Sequence, residues 1–468
     1  MKMFGSQKVL VFGDVMLDSY IDGDVKRISP EAPVPVLSVT STDQRLGGAG
    51  NVVNNINALD AQVRMLSYWG TDPAGDAVSK LLEGMNVDTA FARRYGDIST
   101  MQKTRLVSRH HQLIRYDTEK IEPARKEYVD LLSENLDAIF DGISAAVISD
   151  YGKGIVTGQT AQLVIAEANK RRIPVLVDPK SQDYQKYSGA TVCKPNMNEF
   201  AEAFANAGPC SEADILPLGI LVAEKYKFDY LLITRSEKGL SLIHDREKCD
   251  FPAEAREVVD VTGAGDTVAA VIALCLGAGL PIDQCCRMAN KAAAIVVSKF
   301  GAATVSSDEL KHQDKYASSG ASLSKALRKQ GKKIVFTNGC FDLVHAGHIK
   351  LFEQAKSFGD VLIIGMNSDR SVQAIKGPSR PVVSQDNRAR LLCALSSVDY
   401  VVMFDEETPE RLVSEIIPDV LVKGGDWRGK TVVGRDLVES NGGRVELIDL
   451  EQGLSTTEII KKIILQHE

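Results

Sequence analysis

The sequence is poor in the features that mark membrane, disulfide-rich and nucleic-acid-binding proteins. Its longest apolar stretch, residues 268–280, contains two glycines and is shorter than the roughly 18–20 residues that cross a bilayer. The eight cysteines form no CxxC pair, which argues against a disulfide framework. The formal net charge is −7, whereas proteins that bind a nucleic-acid backbone present a basic surface. We therefore expect a cytoplasmic protein with neither a membrane nor a nucleic-acid partner.

What the sequence does contain is a repeated alternation of short apolar runs and helical segments. Residues 9–12 are apolar and precede Asp14, and residues 146–148 are apolar and precede Asp150. Segments with helical periodicity, such as residues 159–170, lie between runs of this kind. The pattern predicts βαβ units around a parallel sheet, whose ligands bind beyond the carboxyl ends of the strands. The alternative is that the Gly and Asp residues merely end the strands.

The length of the chain indicates more than one domain, because 468 residues exceed what one hydrophobic core usually supports. Residues 19–45, with three prolines, and residues 89–117, which partly alternate, predict antiparallel strands that form a lid outside the parallel sheet. The small residues at 315–322 predict a linker. We predict a first domain at 1–316, a linker with a first helix at 317–331, and a second domain at 332–468.

The segment DVTGAGDT, residues 260–267, has the layout of a glycine turn that opens a buried helix. The backbone N–H groups of Gly263, Ala264 and Gly265 can converge on one point, where the helix dipole also favours an anion. Asp266 follows at the start of the same helix. From the residues alone, Asp266 either caps the helix or acts as a general base toward a substrate hydroxyl.

Four motifs together make this part of the chain resemble the ribokinase-like sugar kinases. They are GGAGN at 47–51, KPNMNE at 194–199, TRSEKG at 234–239 and DVTGAGDT at 260–267, in the order that the family has them. The resemblance covers residues 1–316 and implies an α/β fold, a parallel-sheet sandwich with a β lid. It also implies ATP and Mg²⁺ as cofactors and a sugar as the phosphoryl acceptor.

The resemblance assigns roles to particular residues. It implies that Asp266 is the general base and that Gly263, Ala264 and Gly265 form the anion hole. The sugar pocket is implied to contain Asp14, Gly47, Gly48 and Asn51. ATP is implied to lie against Asn196, Met197, Asn198, Glu199, Ser236 and Gly239, with Glu199 acting indirectly on Mg²⁺. Taken as residues alone, Asn196 and Glu199 also suit a turn followed by a first-turn helix acid, and the two glycines a flexible turn.

Two histidines stand out in NGCFDLVHAGH, residues 338–348, which follows a β-branched run. A zinc site at His345 and His348 lacks the third and fourth ligands that zinc needs, since only Cys340 is close in sequence. Structural histidines that cap a helix are a second interpretation. The third is that both imidazoles, at the start of a predicted amphipathic helix, donate to an α-phosphate on which charge grows in the transition state.

This stretch resembles the HxGH motif of the cytidylyltransferase-like nucleotidyltransferases, which have a smaller Rossmann-like domain. The resemblance covers residues 332–468 and implies that the two histidines hold the α-phosphate of ATP. It implies further roles for Asp342 at the substrate, Lys423 at phosphate or nucleotide, and Ser455, Thr456 and Thr457 at the triphosphate. From the residues alone, Ser455 and Glu458 form a capping box.

A second phosphate-binding pattern occurs in the same part of the chain. Residues 424–431, GGDWRGKT, fit the P-loop expression GxxxxGK[ST]. The residues that follow are β-branched and interrupted by Gly434, which disfavours the helix that a P-loop needs. We therefore expect no P-loop here.

The combination of RISPEAPVPV, TRSEKG, NGCFDLVHAGH and VKGGDW makes nearly the whole chain resemble the bacterial bifunctional heptose 7-phosphate kinase/heptose 1-phosphate adenylyltransferases. The resemblance implies phosphorylation of D-glycero-D-manno-heptose 7-phosphate at C1 and transfer of AMP from ATP to heptose 1-phosphate. The product would be ADP-heptose for lipopolysaccharide core biosynthesis. CTP is disfavoured because residues 450–452, Leu-Glu-Gln, stand where cytidylyltransferases of this group carry an arginine.

The resemblance also implies partners: small sugar phosphates, a separate phosphatase, and a second copy of the chain in a homodimer formed by the lid strands. Candidates for the 7-phosphate are Arg27, Arg105, Lys153 and Lys180, which the sequence does not distinguish from ordinary surface charges. Two alternatives stay open. One is a kinase for another sugar fused to a different nucleotidyltransferase, and the other is a kinase with a nucleotide-sensing C-terminal domain.

Overall fold

The computed structural model divides into two compact units, residues 1–310 and 311–468. It describes residues 4–109, 111–180, 184–203, 211–254, 258–299, 301–317 and 319–449. Within these residues, no helix is long and apolar enough to pass through a lipid bilayer. Each unit has its own sheet and its own apolar core.

The first unit alternates strands and helices along the chain. Its strands are β1 (Lys8–Gly13), β2 (Val15–Ile28), β3 (Pro35–Gly48), β4 (Gln62–Leu66), β5 (Tyr68–Gly70), β6 (Arg93–Tyr95), β7 (Gln102–Ser108), β8 (His111–Thr118), β9 (Ala145–Ser149), β10 (Val175–Asp178), β11 (Val192–Cys193), β12 (Tyr230–Thr234), β13 (Leu240–His244) and β14 (Glu247–Phe251). Its helices are α1 (Ala49–Ala58), α2 (Pro73–Gly84), α3 (Lys126–Glu134), α4 (Leu136–Phe140), α5 (Gly158–Lys170), α6 (Met197–Glu202), α7 (Ile215–Tyr226), α8 (Ala264–Gly277) and α9 (Ile282–Val297), and α10 (Ser307–Asp314) spans the boundary.

The main sheet of this unit has the order β14-β13-β12-β11-β10-β9-β1-β4. Its strands pair in parallel from β4 to β12, and β13 and β14 add antiparallel pairs at one edge. Helices cover both faces: α1 and α8 belong to one apolar cluster, and α5 and α7 to the other. Strands enclosed in this way are apolar throughout, which explains the short apolar runs of the sequence. The predicted parallel-sheet sandwich is confirmed.

A separate sheet with the order β3-β2-β7-β8 forms the lid. β2 pairs with β3, and β7 with β8, in antiparallel hairpins, as the sequence predicts. The pair β2–β7 is parallel instead. The chain passes through the main sheet between these two strands, so no short turn dictates that they run in opposite directions.

The second unit contains a single parallel sheet in its described residues, with the order β15-β18-β17-β16-β19-β20. The strands are β15 (Tyr316–Ala317), β16 (Ile334–Gly339), β17 (Val361–Asn367), β18 (Tyr400–Phe404), β19 (Val420–Gly424) and β20 (Arg444–Ile448). The helices are α11 (Gly320–Lys329), α12 (Ala346–Lys356), α13 (Asp369–Lys376), α14 (Gln385–Ala394), α15 (Glu410–Ile416) and α16 (Arg435–Ser440). This is the predicted Rossmann-like arrangement. The short strand β15 lies within the segment predicted as a linker.

The strand order marks one place in the second sheet where a ligand is expected. From the central strand β16 the chain goes to β17 on one side and later to β19 on the other. In open α/β sheets, ligands bind beyond the carboxyl ends of the strands at such a switch point. The HxGH segment follows β16 directly, so the fold puts both histidines at this position.

Candidate active sites

The first site begins at the switch point of the main sheet, where Asp14 follows β1 and Asp150 follows β9. The carboxylate of Asp14 accepts hydrogen bonds from the backbone N–H groups of Tyr151, Lys153 and Ile155 at 3.0, 3.1 and 3.2 Å. Burial, with the nearby charge of Asp150, raises the pKa of Asp14 to about 6. The loop after β9 thus wraps around a buried carboxylate that can accept hydrogen bonds from a polyhydroxylated ligand.

The side chain of Asp266 is buried in the first turn of α8 and held from two directions. Asn51 Nδ2 donates to Asp266 Oδ2 at 2.6 Å, and the hydroxyl of Tyr151 donates to Asp266 Oδ1 at 2.9 Å. Burial raises the pKa of Asp266, and these two hydrogen bonds oppose the shift. No described residue bonds to Asn51 Oδ1, although this atom is buried. The site therefore has an oriented carboxylate and an unused acceptor beside it.

The turn before α8 requires glycine at Gly263. This residue is in the left-handed region with φ 80°, and a Cβ there would lie 2.7 Å from Asn51 Nδ2. A side chain would thus displace Asn51 from Asp266. The predicted Gly263, Ala264 and Gly265 lie together beside Asp266 along a cavity. The N–H of Ala264 already donates to the carbonyl of Val261 at 3.3 Å, so it is not an uncommitted donor.

The cavity beside Asp266 has a volume of about 700 Å³, within the range of ligand pockets. Of the predicted nucleotide residues, it is lined by Asn196, Glu199, Ser236 and Gly239 but not by Met197 and Asn198. Met197 packs against an apolar cluster of the main sheet instead. This follows from helical geometry, since only some residues of α6 can point toward the cavity.

Asn196 and Glu199 cap the start of α6, as the interpretation from the residues alone predicts. Asn196 Oδ1 accepts from the N–H of Glu199 at 2.9 Å, and Glu199 Oε2 accepts from the N–H of Asn196 at 3.0 Å. This reciprocal pair is a capping box at the start of α6. Glu199 Oε1 also accepts from Lys180 Nζ at 3.0 Å. Capping and cavity lining coexist here, because the capped helix end faces the cavity.

Two residues to which the motifs assign no role, Tyr151 and Lys194, lie beside Asp266. Lys194 is buried and pairs with Asp178 at 2.9 Å. Its Nζ would be 3.5 Å from a Cβ on Gly265, so its positive charge lies next to the glycine turn. Both residues follow strands of the main sheet. Lys194 opens the KPNMNE motif, which was the available signal for it, whereas Tyr151 had only its position after a strand.

Gly47 and Gly48 are the last two residues of β3, where the lid meets α1. A Cβ on Gly47 would lie 2.3 Å from Asp18 Oδ2, and a Cβ on Gly48 would lie 2.4 Å from the carbonyl oxygen of Asp14. Gly48 therefore has no room for a side chain against the backbone of Asp14, and a side chain at Gly47 would displace that of Asp18. This geometry replaces the flexible-turn interpretation, because the glycines are paired in the lid sheet.

The second site contains His345 and His348 at the start of α12. Their rings stack at a centroid distance of 3.9 Å and an interplanar angle of 26°. Burial, with the neighbouring His345, lowers the pKa of His348 to about 4, so His348 is neutral at pH 7. Neither Nδ1 atom, although buried, has a hydrogen-bond partner among the described residues. The pair presents polar atoms that protein groups leave unsatisfied, as expected for groups that hold a ligand.

The other two interpretations of the histidines find no support in the part of the chain that the structure describes. It contains no cluster of three or more His, Cys, Asp or Glu residues that could hold a metal ion. His345 occupies the N-cap position of α12 but makes no side-chain capping hydrogen bond. The phosphate interpretation is therefore the one that the geometry favours.

Lys423 and Asp342 lie on either side of the switch point in the second sheet. Lys423, at the end of β19, donates to Asn338 Oδ1 at 2.6 Å, and Asn338 is in β16. The carboxylate of Asp342 accepts from Arg380 Nη1 at 2.6 Å and from the N–H of Val382 at 2.7 Å. Lys423 is thus buried against Asn338 at the carboxyl ends of β19 and β16, while Asp342 fixes the loop that carries Arg380.

Arg388 is a fully buried charge that the sequence analysis does not identify. It donates to the carbonyl oxygens of Cys340 and Asn367 and pairs with Asp369 at 2.7 Å. Cys340 belongs to the HxGH segment, and Asn367 ends the neighbouring strand β17. One arginine therefore ties together the two loops that border the second site. In the sequence, Arg388 is one charged residue in a helical segment, and nothing there indicates that it is buried.

Two predictions in this unit concern other segments. The residues after Lys430 do not form a helix until Arg435, so residues 424–431 lack the helix of a P-loop, as expected. Ser455, Thr456 and Thr457 lie outside the described residues. Their contact with a triphosphate stays a prediction.

Comparison with known protein families agrees with the two units. Residues 6–309 match the pfkB family of carbohydrate kinases, and residues 336–462 match the cytidylyltransferase-like family. Arabidopsis thaliana ribokinase, solved with ribose and ATP, has a TM-score of 0.52 at 16% identity over 66% of this chain and 98% of its own. Phosphofructokinase-2 from Escherichia coli has a TM-score of 0.54 at 20% identity over 65% and 96%. These two structures show a shared fold.

Curated relatives match nearly the full length. The bifunctional protein HldE of Syntrophotalea carbinolica is 43% identical over 98% of this chain and 96% of its own. That of Trichlorobacter lovleyi is 45% identical over 98% and 96%. That of Haemophilus influenzae strain PittEE is 44% identical over 99% and 98%.

The fold and the two sites define a sugar kinase of the pfkB class joined to a nucleotidyltransferase. The chain belongs to the family of bifunctional HldE proteins, the heptose 7-phosphate kinase/heptose 1-phosphate adenylyltransferases that its motifs resemble. The predicted family, fold class and enzyme class are thereby confirmed. The roles of individual residues stay predictions.

Proposed function

We propose that the first site phosphorylates D-glycero-D-manno-heptose 7-phosphate at C1 with ATP and that the second site transfers AMP from ATP to heptose 1-phosphate. The products are the 1,7-bisphosphate and, in the second reaction, ADP-heptose with pyrophosphate, for lipopolysaccharide core biosynthesis. The observation that carries the proposal is one chain with both an oriented, buried Asp266 at a glycine turn and a stacked histidine pair at a strand end. A separate phosphatase must remove the 7-phosphate between the two steps.

In the kinase step, the C1 hydroxyl of the sugar lies against Asp266. The carboxylate accepts the hydroxyl proton as the oxygen attacks the γ-phosphorus, and ADP leaves. Asn51 and Tyr151 keep the carboxylate in one orientation, which their hydrogen bonds support. Lys194 places positive charge beside the turn at Gly263, where charge on the transferred phosphoryl group needs compensation. Water is excluded when the lid covers the sugar.

Mg²⁺ fits the residues that line the cavity of the first site. Magnesium keeps several water ligands and usually takes one or two carboxylates together with substrate phosphates. Glu199 and Asp178 both line the cavity and have carboxylates, and we propose that they hold the hydrated ion, Glu199 through water. When bound, Mg²⁺ neutralises charge on the ATP phosphates.

In the adenylyl-transfer step, an oxygen of heptose 1-phosphate attacks the α-phosphorus of ATP and pyrophosphate leaves. His345 and His348 donate hydrogen bonds to the α-phosphate, whose negative charge grows in the transition state. Neutral imidazoles can do this because each has one N–H donor. Lys423 binds phosphate from the other side of the switch point, which its position at the end of β19 supports.

We also propose a homodimer formed by the lid, in a cytoplasmic enzyme that draws on cellular ATP. Large apolar residues are exposed on the lid strands, including Ile28 at 60%, Ile114 at 56% and Tyr116 at 50%. Ile114 and Tyr116 are two residues apart on β8 and so share one face of the strand. Exposed apolar patches commonly mark a contact with another protein. Sedimentation velocity of the full chain measures this, and a monomer at micromolar concentration would contradict it.

Phosphorus NMR of the purified protein with MgATP tests both reactions. One sample receives heptose 7-phosphate, the other receives heptose 1-phosphate, and pyrophosphatase is absent from both. We expect an anomeric phosphate and ADP in the first sample. In the second we expect a sugar pyrophosphoryl linkage and free pyrophosphate.

The same experiment distinguishes the two alternative functions. Turnover in the first sample with ATP binding but no pyrophosphate in the second would indicate a nucleotide-sensing domain or a different nucleotide partner. Turnover in neither sample would indicate a kinase for another sugar, which a panel of sugar phosphates then identifies.

A further inference from the structure

Lys103 lies on the lid strand β7, beside the sugar side of the first site. Its Nζ is 5.8 Å from the centre of the Tyr151 ring, and the hydroxyl of the same ring donates to Asp266. The side chain of Lys103 is partly buried. It is not among the residues that line the 700 Å³ cavity where we place ATP. A cation thus lies across one aromatic ring from the proposed base, away from the nucleotide.

The carboxylates next to Lys103 are already engaged with other cations. Asp18 on β2 and Asp117 on β8 are its register partners on the two neighbouring strands. Asp18 pairs with Arg105 at 2.7 Å, and Asp117 pairs with Arg115 at 3.1 Å. Lys103 forms no ion pair with any residue in the described ranges. The same face also carries the ion pair Arg45–Asp43. Lys103 is thus the cation of this set that has no ion-pair partner of its own in the described ranges.

An uncompensated, partly buried ammonium group is unfavourable unless an anion balances it. Burial lowers the pKa of Lys103, although Asp18 and Asp117 oppose the shift. A bound phosphate would restore the balance and keep the lysine charged. Lys103 thus supplies the positive charge that the phosphate group of a sugar phosphate needs.

The cations that the sequence suggested for the 7-phosphate are less suitable than Lys103. Arg105 pairs with Asp18, Lys153 pairs with Glu119 at 2.5 Å, and Lys180 pairs with Glu199. Arg27 is exposed near the end of β2. The positions of these four residues were visible in the sequence, but their pairing was not.

We propose that Lys103 binds the phosphate at the far end of the sugar substrate, so that it selects a sugar phosphate over the free sugar. The proposal rests on the proposed kinase function and names the residue that reads the 7-phosphate. With C1 at Asp266, the sugar chain extends past the ring of Tyr151 and its phosphate reaches the lid. The competing explanation is a structural one, in which Lys103 only contacts the Tyr151 ring as a cation–π partner.

The test compares heptose 7-phosphate with heptose that lacks the phosphate, using wild type and Lys103→Met. Wild type should prefer the phosphorylated sugar. The variant keeps the alkyl chain but loses the charge, so kcat/KM for the sugar phosphate should fall by about tenfold or more, mainly through KM. The value for the free sugar should change by less than about threefold. Lys103→Arg, which keeps the charge, should recover part of the loss.

Lys26→Met is the matched control. Lys26 is an exposed lysine of the same lid sheet that pairs with Asp24 at 3.3 Å. Its loss should leave the preference for the phosphorylated sugar unchanged. The KM for ATP should be the same in all variants, and thermal unfolding shows whether each variant is folded.

Three results would overturn this assignment or the function beneath it. Equal loss on both sugars in Lys103→Met would show that Lys103 acts only through Tyr151. Equal use of both sugars by wild type would show that no residue reads the phosphate. Absence of wild-type turnover with heptose 7-phosphate would instead overturn the proposed substrate. The same comparison on a hexose 6-phosphate and its free hexose would then decide the role of Lys103.

Discussion

The two active sites differ in how far their key groups are engaged in the absence of substrate. In the first site both oxygens of Asp266 accept hydrogen bonds, from Asn51 and from Tyr151. In the second site neither Nδ1 of His345 nor that of His348 has a partner among the described residues. A general base must point at one proton, whereas a phosphate clamp needs imidazole nitrogens that the protein has not already bonded. The difference therefore matches the two kinds of chemistry.

Burial also has different consequences for the charge of the key group in each site. Burial raises the pKa of Asp266, and hydrogen bonds from the protein oppose this shift and favour the charged form. Burial, with the neighbouring His345 and Lys376, lowers the pKa of His348 to about 4. The histidine stays neutral, which avoids the cost of a buried charge. The protein itself therefore orients the base of the first site, whereas the two histidine Nδ1 atoms of the second site have no partner among the described residues.

The strongest test of this comparison is Asp266→Asn. The amide has the same shape but cannot accept the hydroxyl proton, so the kinase rate should fall by about 10²- to 10⁴-fold. Adenylyl transfer should be unchanged, because the histidines belong to the other compact unit. Both rates are measured on one preparation, so each serves as the control for the other. A similar loss in both reactions would contradict the separation of the two sites.

His348→Ala is the reciprocal test. Loss of a donor to the developing charge should lower adenylyl transfer by about 10²- to 10³-fold while the kinase rate stays at the wild-type level. His348 also packs against Phe341 at a ring distance of 5.3 Å, so His348→Gln, which keeps a donor and much of the volume, is the matched variant. It should retain more activity than the alanine variant. An unchanged adenylyl-transfer rate in His348→Ala would remove this histidine from the site.

Tyr151→Phe tests the orientation of Asp266, because it removes one of the two hydrogen bonds to the carboxylate and keeps the carboxylate itself. The variant keeps the ring but loses the donor to Asp266 Oδ1, and the kinase rate should fall by about tenfold. Because that hydrogen bond lowers the pKa of Asp266, the acidic limb of the kinase profile should move to higher pH. The measurement is kcat/KM against pH for wild type and variant. A loss of rate with no movement of the limb would indicate that Tyr151 acts on the fold alone.

The smallest expected effects are in the pH profiles of the two reactions. Kinase kcat/KM should fall as pH drops through the raised pKa of Asp266, because a protonated Asp266 cannot take the hydroxyl proton. Protonation of Asp14, whose pKa is about 6, should add to the fall because a neutral carboxyl group is a weaker acceptor for the sugar hydroxyls. The sugar phosphate itself titrates at about 6, so the adenylyl-transfer profile is compared between wild type and His348→Gln. The two profiles should have the same shape between about pH 5 and 8, because burial holds the pKa of His348 at about 4. A step that is present in wild type and lost in His348→Gln would contradict a neutral, buried clamp.

Much of the fold could be predicted because its signals are local. Apolar runs such as residues 9–12 became strands of a sheet covered on both faces, and the glycine turn at Gly263 opened the buried helix α8. One strand pairing in the lid differs from the predicted antiparallel arrangement, and the difference has a physical cause. The parallel pairing of β2 with β7 depends on how the chain returns from the main sheet, which no short pattern encodes.

The candidate sites were predicted in part. Motif residues such as Asp14, Asn51 and Asp266 do come together, since each follows or opens an element at the same end of the sheet. Tyr151 and Lys103 were not singled out, because a tyrosine after a strand and a lysine in an alternating segment are common. Their place in the site became apparent only from the structure, in which the hydroxyl of Tyr151 donates to Asp266 and its ring lies 5.8 Å from Lys103 Nζ.

The sequence by itself determined the kinds of element, the order of the motifs and the family, because glycine turns, strand ends and paired histidines are features of short segments. Only the tertiary structure decided which groups meet. Asn51 and Asp266 are 215 residues apart, and Tyr151 and Asp266 are 115 apart. Hydrogen bonds over such separations depend on the packing of whole elements, here α1 and the loop after β9 against α8. That packing is the sum of many nonlocal contacts, which local pattern does not specify.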